Sequence, residues 1–338
     1  MSAIPTAAEI ARDAKWLAQA SDSAGAVFRM IEMTPEAYRS ASFLDDRLLQ
    51  ISVNAKTLPS HHIEAALPSD ARTDARWIFH IGHVGSTLIS RLLGELDGVL
   101  AIREPRLLRD LALMPLPRRK ELVPTIQKLF SRTFRADEIA LVKATSFVGE
   151  IAALLVPPGG RALFIYLEPA TYIATILAGD NSLKELAELS SVRALRMEER
   201  VRGLDLRGAS AADAAAAAWA CEMTALESAA ELMGDRRIGW VDFDSFLKDL
   251  PAMLADLADF LGFDGPPERI AAITAGPLLS RYSKAPEYEY SASLRRQLID
   301  QERRVHGNQI DAALARLTRA AQMSPLLAKA LARSRPEG

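Results

Sequence analysis

The chain has 338 residues, enough for one large α/β domain with additions or for two modest domains around a sizeable core. Apolar residues make up 49%, charged residues 25%, and the formal net charge is −2, which argues against a general nucleic-acid binder relying on a basic surplus. The single cysteine, Cys221, excludes an intramolecular disulfide and fits a reducing compartment; within an alanine-rich helical pattern it reads as a buried small hydrophobe rather than a nucleophile.

The opening segment, MSAIPTAAEIARDAKWLAQA, lacks a cationic region followed by an apolar stretch, and no later run approaches the roughly 20 apolar residues of a membrane span. The expectation is a cytoplasmic protein with no membrane partner. Residues 213–233 are apolar, but Asp213, Glu222, Glu227 and Glu231 interrupt them, so they are expected to form a soluble core helix.

Up to about residue 72 the sequence suggests helical pieces separated by proline-bearing turns, with Thr34 as a helix cap and Pro35 at the first helical position. From Trp77 to Asp244 strand-like runs alternate with helical ones. That alternation predicts a mostly parallel sheet of about five strands covered by helices on both faces. Strands are expected at about 77–81, 99–103, 139–144, 162–168 and 237–243. Helices are expected at 86–96, 106–113, 121–133, 147–155, 170–178, 183–203, 211–233 and 245–262, then at 292–306 and 308–333 beyond a Pro-, Ser- and Tyr-rich loop. Three regions result: a helical extension at 1–72, an α/β core at 73–265, and a closing loop with helices at 266–338, together one globular unit.

The most informative stretch is WIFHIGHVGSTLISRLL, Trp77 to Leu93, where a strand-like run ends in a turn bearing Gly82 and Gly85 and opens into a helix. Glycines reach conformations closed to other residues, and the helix start offers unpaired N–H groups and a positive dipole end to an anion. It is not a Walker A loop: GxxxxGK(S/T) would place glycine at position 80 and lysine at position 86, where the chain has His80 and Ser86. A nucleotide without a γ-phosphate is the better expectation. The plainer alternative is that Ser86 and Thr87 only cap the helix. No spaced partner suggests a metal at His61–His62.

The run HIGHVGSTLISRLL, followed by IREP, resembles the 5′-phosphosulfate loop and next strand of the sulfotransferase family, whose donor is 3′-phosphoadenosine-5′-phosphosulfate (PAPS). ALVKATS, RALFIYLEPATYIATIL and IGWVDFDSFLKDLPAMLADLADFLGF resemble three later family segments in the family's order, so the likeness runs from about Trp77 to Phe263 and makes the expected fold P-loop-like. It implies a sulfotransferase that moves a sulfuryl group from PAPS, leaving PAP, to a hydroxyl or amine on a small-molecule or glycan acceptor without a metal. Gly82, His83, Val84, Gly85, Ser86 and Thr87 would hold the 5′-phosphosulfate. Glu104 would be the general base, while His83 and Lys143 would stabilise the transferring group.

His83 stands where the family usually carries lysine or arginine, and an imidazole can be neutral at pH 7. Arg103 is a candidate for substrate anions, or forms a surface pair with Glu104. Lys143, charged at the end of an apolar strand, should reach an anion or carboxylate. Thr145 binds acceptor or, with Ser146, caps the next helix. The largest departure is Leu167, where the family has an arginine that grips the 3′-phosphate with the serine now replaced by Thr175. Arg281 and Lys284 are candidates to compensate. Trp219 is expected in the core, Tyr282, Tyr288 and Tyr290 are candidates for the acceptor cleft, and Arg295–Arg296 and Arg303–Arg304 read as a solvated helix face. The acceptor site is expected from the N-terminal 70 residues and 180–210. A non-catalytic relative serving as a binding or scaffolding module is the second reading. A kinase is the third, disfavoured by the missing Walker lysine.

Overall fold

The computed structural model describes residues 5–50, 53–198, 200–201, 210–234, 238–279 and 291–335. Two sheets organise it. Strands β1 (Trp16–Ser21), β2 (Val27–Glu32) and β3 (Ala55–Pro59) form an antiparallel sheet in the order β1-β2-β3. Strands β4 (Arg76–His80), β5 (Val99–Arg103), β6 (Ile139–Lys143), β7 (Ala162–Tyr166) and β8 (Ile238–Asp242) form a second sheet in the order β5-β6-β4-β7-β8, every pairing parallel.

The parallel sheet is an α/β fold, as the alternation of strand-like and helical runs predicts, and each of its strands lies within two residues of its expected bounds at either end. Consecutive residues along β7 are all buried, so both faces are covered and the apolar runs need no alternation. Trp77, Phe79 and Phe164 pack as a stacked and edge-on series across β4 and β7. Because β5 and β6 lie to one side of β4 and β7 and β8 to the other, the strand order reverses at β4. Ligands of open α/β sheets bind beyond the strand ends at such a reversal, and the glycine turn follows β4.

The helical reading of residues 1–72 is corrected. Among the described residues there the helices are short, at Ala7–Arg12, Pro35–Ser40 and Ser60–Ala66 with a 3-10 turn at Asp46–Gln50, and three strands dominate. The missed signal is a hairpin: Asp22 accepts hydrogen bonds from the amides of Ala26 and Val27 at 2.7 and 3.1 Å, and Gly25 takes φ +66°. Thr34 and Pro35 do start a helix, with the Thr34 hydroxyl accepting from Ala37 N–H at 3.2 Å. This layer is tied to the core. Arg132 donates to the carbonyls of Ile10 and Trp16, and the Ser21 amide donates to Asp110 at 2.9 Å.

The C-terminal region is helical as expected, but its break is displaced. One helix runs from Ala292 to Ala321 straight through Gly307, and the next, Pro325–Arg333, is capped by Ser324. A helical glycine costs about 1 kcal/mol relative to alanine, too little to end a helix whose buried positions, Ile299 and Ile310, lie on both sides of it. Residues 183–203 likewise divide, into Asp180–Glu188 and Ser190–Glu198, and 245–262 into Phe243–Lys248 and Leu250–Leu261. The helix Ala211–Met233 matches its expected bounds. Trp219 is in its buried core, and Cys221 is buried there with burial pushing its thiol pKa up to about 12.

Candidate functional site

The glycine turn leaves β4 at Ile81 and enters the helix Ser86–Leu93. Gly82 and Gly85 take φ +83° and +67°, and His83 also has a positive φ, +53°. Gly85 must be glycine twice over, because a Cβ there would lie 2.0 Å from Cζ of Phe243, whose ring closes against the turn. The helix has no side-chain cap, so Ser86 and Thr87 do not act as one. Thr87 Oγ1 is buried with no hydrogen-bond partner among the described residues. An orphaned hydroxyl in the first turn of an uncapped helix suits an anion-binding cradle, where it would add a donor to the free amides.

Beside the turn, the register pairs Lys143 at the end of β6 with Arg103 on β5 and Ile78 on β4. Lys143 is completely buried, and its Nζ donates to the carboxylate of Glu104. Glu104 directly follows β5, anchored by its amide on the Lys143 carbonyl at 2.7 Å. Its φ of +53° breaks the alternation of the strand and redirects the side chain at that point. His80 Nδ1 accepts the Gly82 amide at 3.0 Å, which puts the ring proton on Nε2, 3.9 Å from Glu104 Oε1. His80 therefore joins the site as well as packing in its strand.

Glu104, His80 and the turn residues Gly82 and His83 face one cleft of ≈ 400 Å³, lined also by Thr145 and Ser146 on the core side, with Lys143 buried behind Glu104. The opposite wall carries Asn181, Ser182 and Glu185 from the helix Asp180–Glu188, with Phe43 and Arg47 from the N-terminal layer. His83 bridges the walls, with Nδ1 3.1 Å from Ser182 Oγ and Nε2 3.3 Å from Glu185 Oε2. Ser182 and Glu185 fall inside the 180–210 segment expected to build the acceptor side, although no spacing singled them out. Thr145 makes no side-chain cap and lines the cleft instead.

Other candidates have different roles. Arg103 is buried and donates to the carbonyls of Tyr38, Arg39 and Ala41, closing the C-terminal end of the helix Pro35–Ser40; it is neither a ligand contact nor a surface partner of Glu104. Burial lowers its pKa, and the three carbonyls compensate the desolvated cation. The Thr175 hydroxyl donates to the Thr171 carbonyl of its own helix at 2.7 Å. Leu167 is buried, its carbonyl accepting Trp219 Nε1–H at 2.9 Å. Arg281, Lys284, Tyr282, Tyr288 and Tyr290 lie outside the described residues.

The long C-terminal helix is not merely a solvated basic face. Arg295 pairs with Asp244 at 2.6 Å and lies 5.2 Å from the centre of the Phe243 ring, while Arg303 Nη2 donates to Thr171 Oγ1 at 2.7 Å and sits 3.7 Å from the Glu168 carboxylate. Arg303 thus brings a cation beside Glu168, next to Leu167. Among the described residues no group of three or more His, Cys, Asp or Glu side chains could hold a metal, and no helix is long and apolar enough to cross a membrane.

No family model matches the chain, and no curated protein matches it. Among solved structures it is similar to a mouse sulfotransferase complexed with PAP, at 13% identity and a TM-score of 0.42 over 77% of this chain and 89% of that one. A sulfotransferase domain from the curacin biosynthetic pathway matches at 12% identity and 0.40, over 66% and 85%. A sulfotransferase from Alicyclobacillus acidocaldarius matches at 13% and 0.38, over 73% and 94%. At identities this low no residue role carries over from those proteins to this chain.

Proposed function

We propose that the protein is a PAPS-dependent sulfotransferase acting on a hydroxyl or amine. The observation that carries the reading is that one cleft brings Gly82 and His83 of the glycine turn, which leads into an uncapped helix, together with Glu104, which Lys143 holds from behind. The donor substrate supplies an activated sulfuryl group. The amides following Gly85, with the hydroxyls of Ser86 and Thr87, hold its 5′-phosphate, a role supported by the orphaned Thr87 hydroxyl.

Glu104 takes the proton of the acceptor as the new O–S or N–S bond forms and the S–O bond to the 5′-phosphate breaks. Lys143 keeps that carboxylate fixed at the mouth of the strand ends. The electron pair of the broken bond stays on the phosphate oxygen, where His83 and the turn amides donate to the growing charge. His83 substitutes here for the longer cation of the resembling sequences; its two ring nitrogens rest on Ser182 and Glu185, and one of these contacts is exchanged for the phosphate oxygen when the donor binds. Arg303 supplies the positive charge for the 3′-phosphate that Leu167 cannot.

Calorimetric titration with PAP, paired with transfer of radiolabelled sulfate from PAPS to a panel of alcohols, phenols and amines in the presence of a chelator, tests this. Binding of PAP and chelator-insensitive transfer are expected. Failure of the folded protein to bind PAP overturns the proposal.

A further inference from the structure

A second, larger cavity of ≈ 730 Å³ lies in the N-terminal layer, and its wall includes Met33, Ala37, Phe43, Leu48, Val53 and Phe134. Phe43 and Arg47 line both this chamber and the cleft that holds Glu104. The two spaces therefore share one stacked pair in their walls, with the Arg47 guanidinium 3.3 Å from the centre of the Phe43 ring. Arg47 is half-exposed and held by Asp45, its Nε donating at 2.8 Å, so one member of the shared pair is a surface side chain rather than part of the core.

The charges on the chamber wall are already satisfied within the protein. Lys15 pairs with Glu32 at 3.0 Å, and Asn54 donates to the same carboxylate at 2.6 Å, which together hold the Glu32 pKa below its ordinary value. What remains open to a ligand is mainly apolar and aromatic surface. Its volume falls within the roughly 300–1,000 Å³ of small-molecule sites.

We infer that this chamber holds the body of the sulfuryl acceptor, and that the acceptor is an uncharged, largely apolar or aromatic alcohol or phenol whose hydroxyl passes the shared Phe43–Arg47 pair to reach Glu104. The inference rests on the sulfotransferase reading and adds the substrate class to it. It also gives the antiparallel sheet, an addition to the α/β core, a purpose in recognition. A charged or sugar-like acceptor would strip water from many polar groups and find few free partners in return.

Calorimetric titration with 2-naphthol tests the chamber. Ala37→Trp, which fills it, is expected to weaken 2-naphthol binding at least tenfold while leaving the thermal stabilisation by PAP unchanged. Undiminished 2-naphthol binding by folded Ala37→Trp protein overturns the inference. A diazirine-bearing phenol photolysed with the wild-type protein needs no variant: label on wall residues of the chamber alone, such as Lys15, Met33, Leu48, Val53 or Phe134, supports the chamber, and label confined to residues that do not line it, or to the shared Phe43 and Arg47, overturns it. Absence of PAP stabilisation in the wild type sinks the donor assignment separately, because the position of the label reports chamber occupancy on its own.

Discussion

Glu104 and Lys143 are hydrogen-bonded across the ends of adjacent parallel strands, the lysine sealed from solvent and the glutamate turned into the cleft by a left-handed backbone. Breaking such a pair from one side leaves a buried charge without compensation, at a cost of about 3–5 kcal/mol. Glu104→Ala, which strands the buried ammonium, should therefore be strongly destabilised in urea, whereas Glu104→Ala combined with Lys143→Met should recover part of the loss. Strictly additive effects of the two substitutions would show that the pair is not coupled.

Glu104→Gln alone keeps the shape and an amide oxygen to accept from Lys143, and removes the proton acceptor. It should lower the turnover of sulfate transfer on the order of 10²–10⁴-fold with PAP affinity preserved. Turnover within a factor of about three of wild type would remove Glu104 as the base.

The two glycines of the turn should respond unequally. Gly85→Ala combines a positive φ with a Cβ driven into the Phe243 ring, so a loss of about 2–4 kcal/mol is expected from strain and overpacking together. Gly82→Ala has its nearest neighbour, Ser146, at 3.4 Å and should cost about 1–2 kcal/mol through φ alone. Denaturant midpoints order the pair; equal losses would mean that Phe243 moves aside freely.

The five parallel strands were legible because buried parallel strands are continuous apolar runs punctuated by glycine and proline, and the turn at Gly82 and Gly85 carried its own signal. The N-terminal sheet was not, since WLAQAS at β1 is buried along most of its length and offers no alternation, and the short helices nearby carry the clearer caps. Within the site, Glu104 and Lys143 were visible as charges at strand ends. Their union, and the diversion of Arg103 to three carbonyls, depends on register and on a helix more than 60 residues away in sequence, which no local pattern encodes.

Cys221 should be chemically silent. With its pKa raised to about 12 by burial, the native thiol stays protonated at pH 8, so Ellman's reagent should react only after denaturant is added. The unfolded chain loses this proton near the ordinary thiol pKa of about 8.5, whereas the native state retains it up to about 12. Stability contributed by the neutral thiol is complete below the lower value and falls as pH rises between the two. Cys221→Ala should flatten the alkaline decline, leaving the part due to the buried Tyr38 and Tyr172 hydroxyls, whose pKa values are also raised by burial. An unchanged slope in Cys221→Ala would contradict the assignment.

Arg303 is the most exacting case, because it must account for Leu167. Its guanidinium is near Thr171 and Glu168 at the start of the helix that follows β7, while position 167 is committed to the apolar core. Arg303 is partly exposed, so its ion pair with Glu168 contributes only about 0–1 kcal/mol to folding and Arg303→Ala should remain as stable as wild type. If the guanidinium serves the 3′-phosphate, the same substitution should weaken PAP binding about tenfold, in line with a charge-assisted contact of ~1.5 kcal/mol, yet leave AMP, which lacks that phosphate, unaffected. Comparing the two nucleotides by calorimetry separates this role from a general electrostatic one: a parallel loss for both would assign Arg303 to the field around the cleft, and no loss for either would leave the 3′-phosphate without this partner.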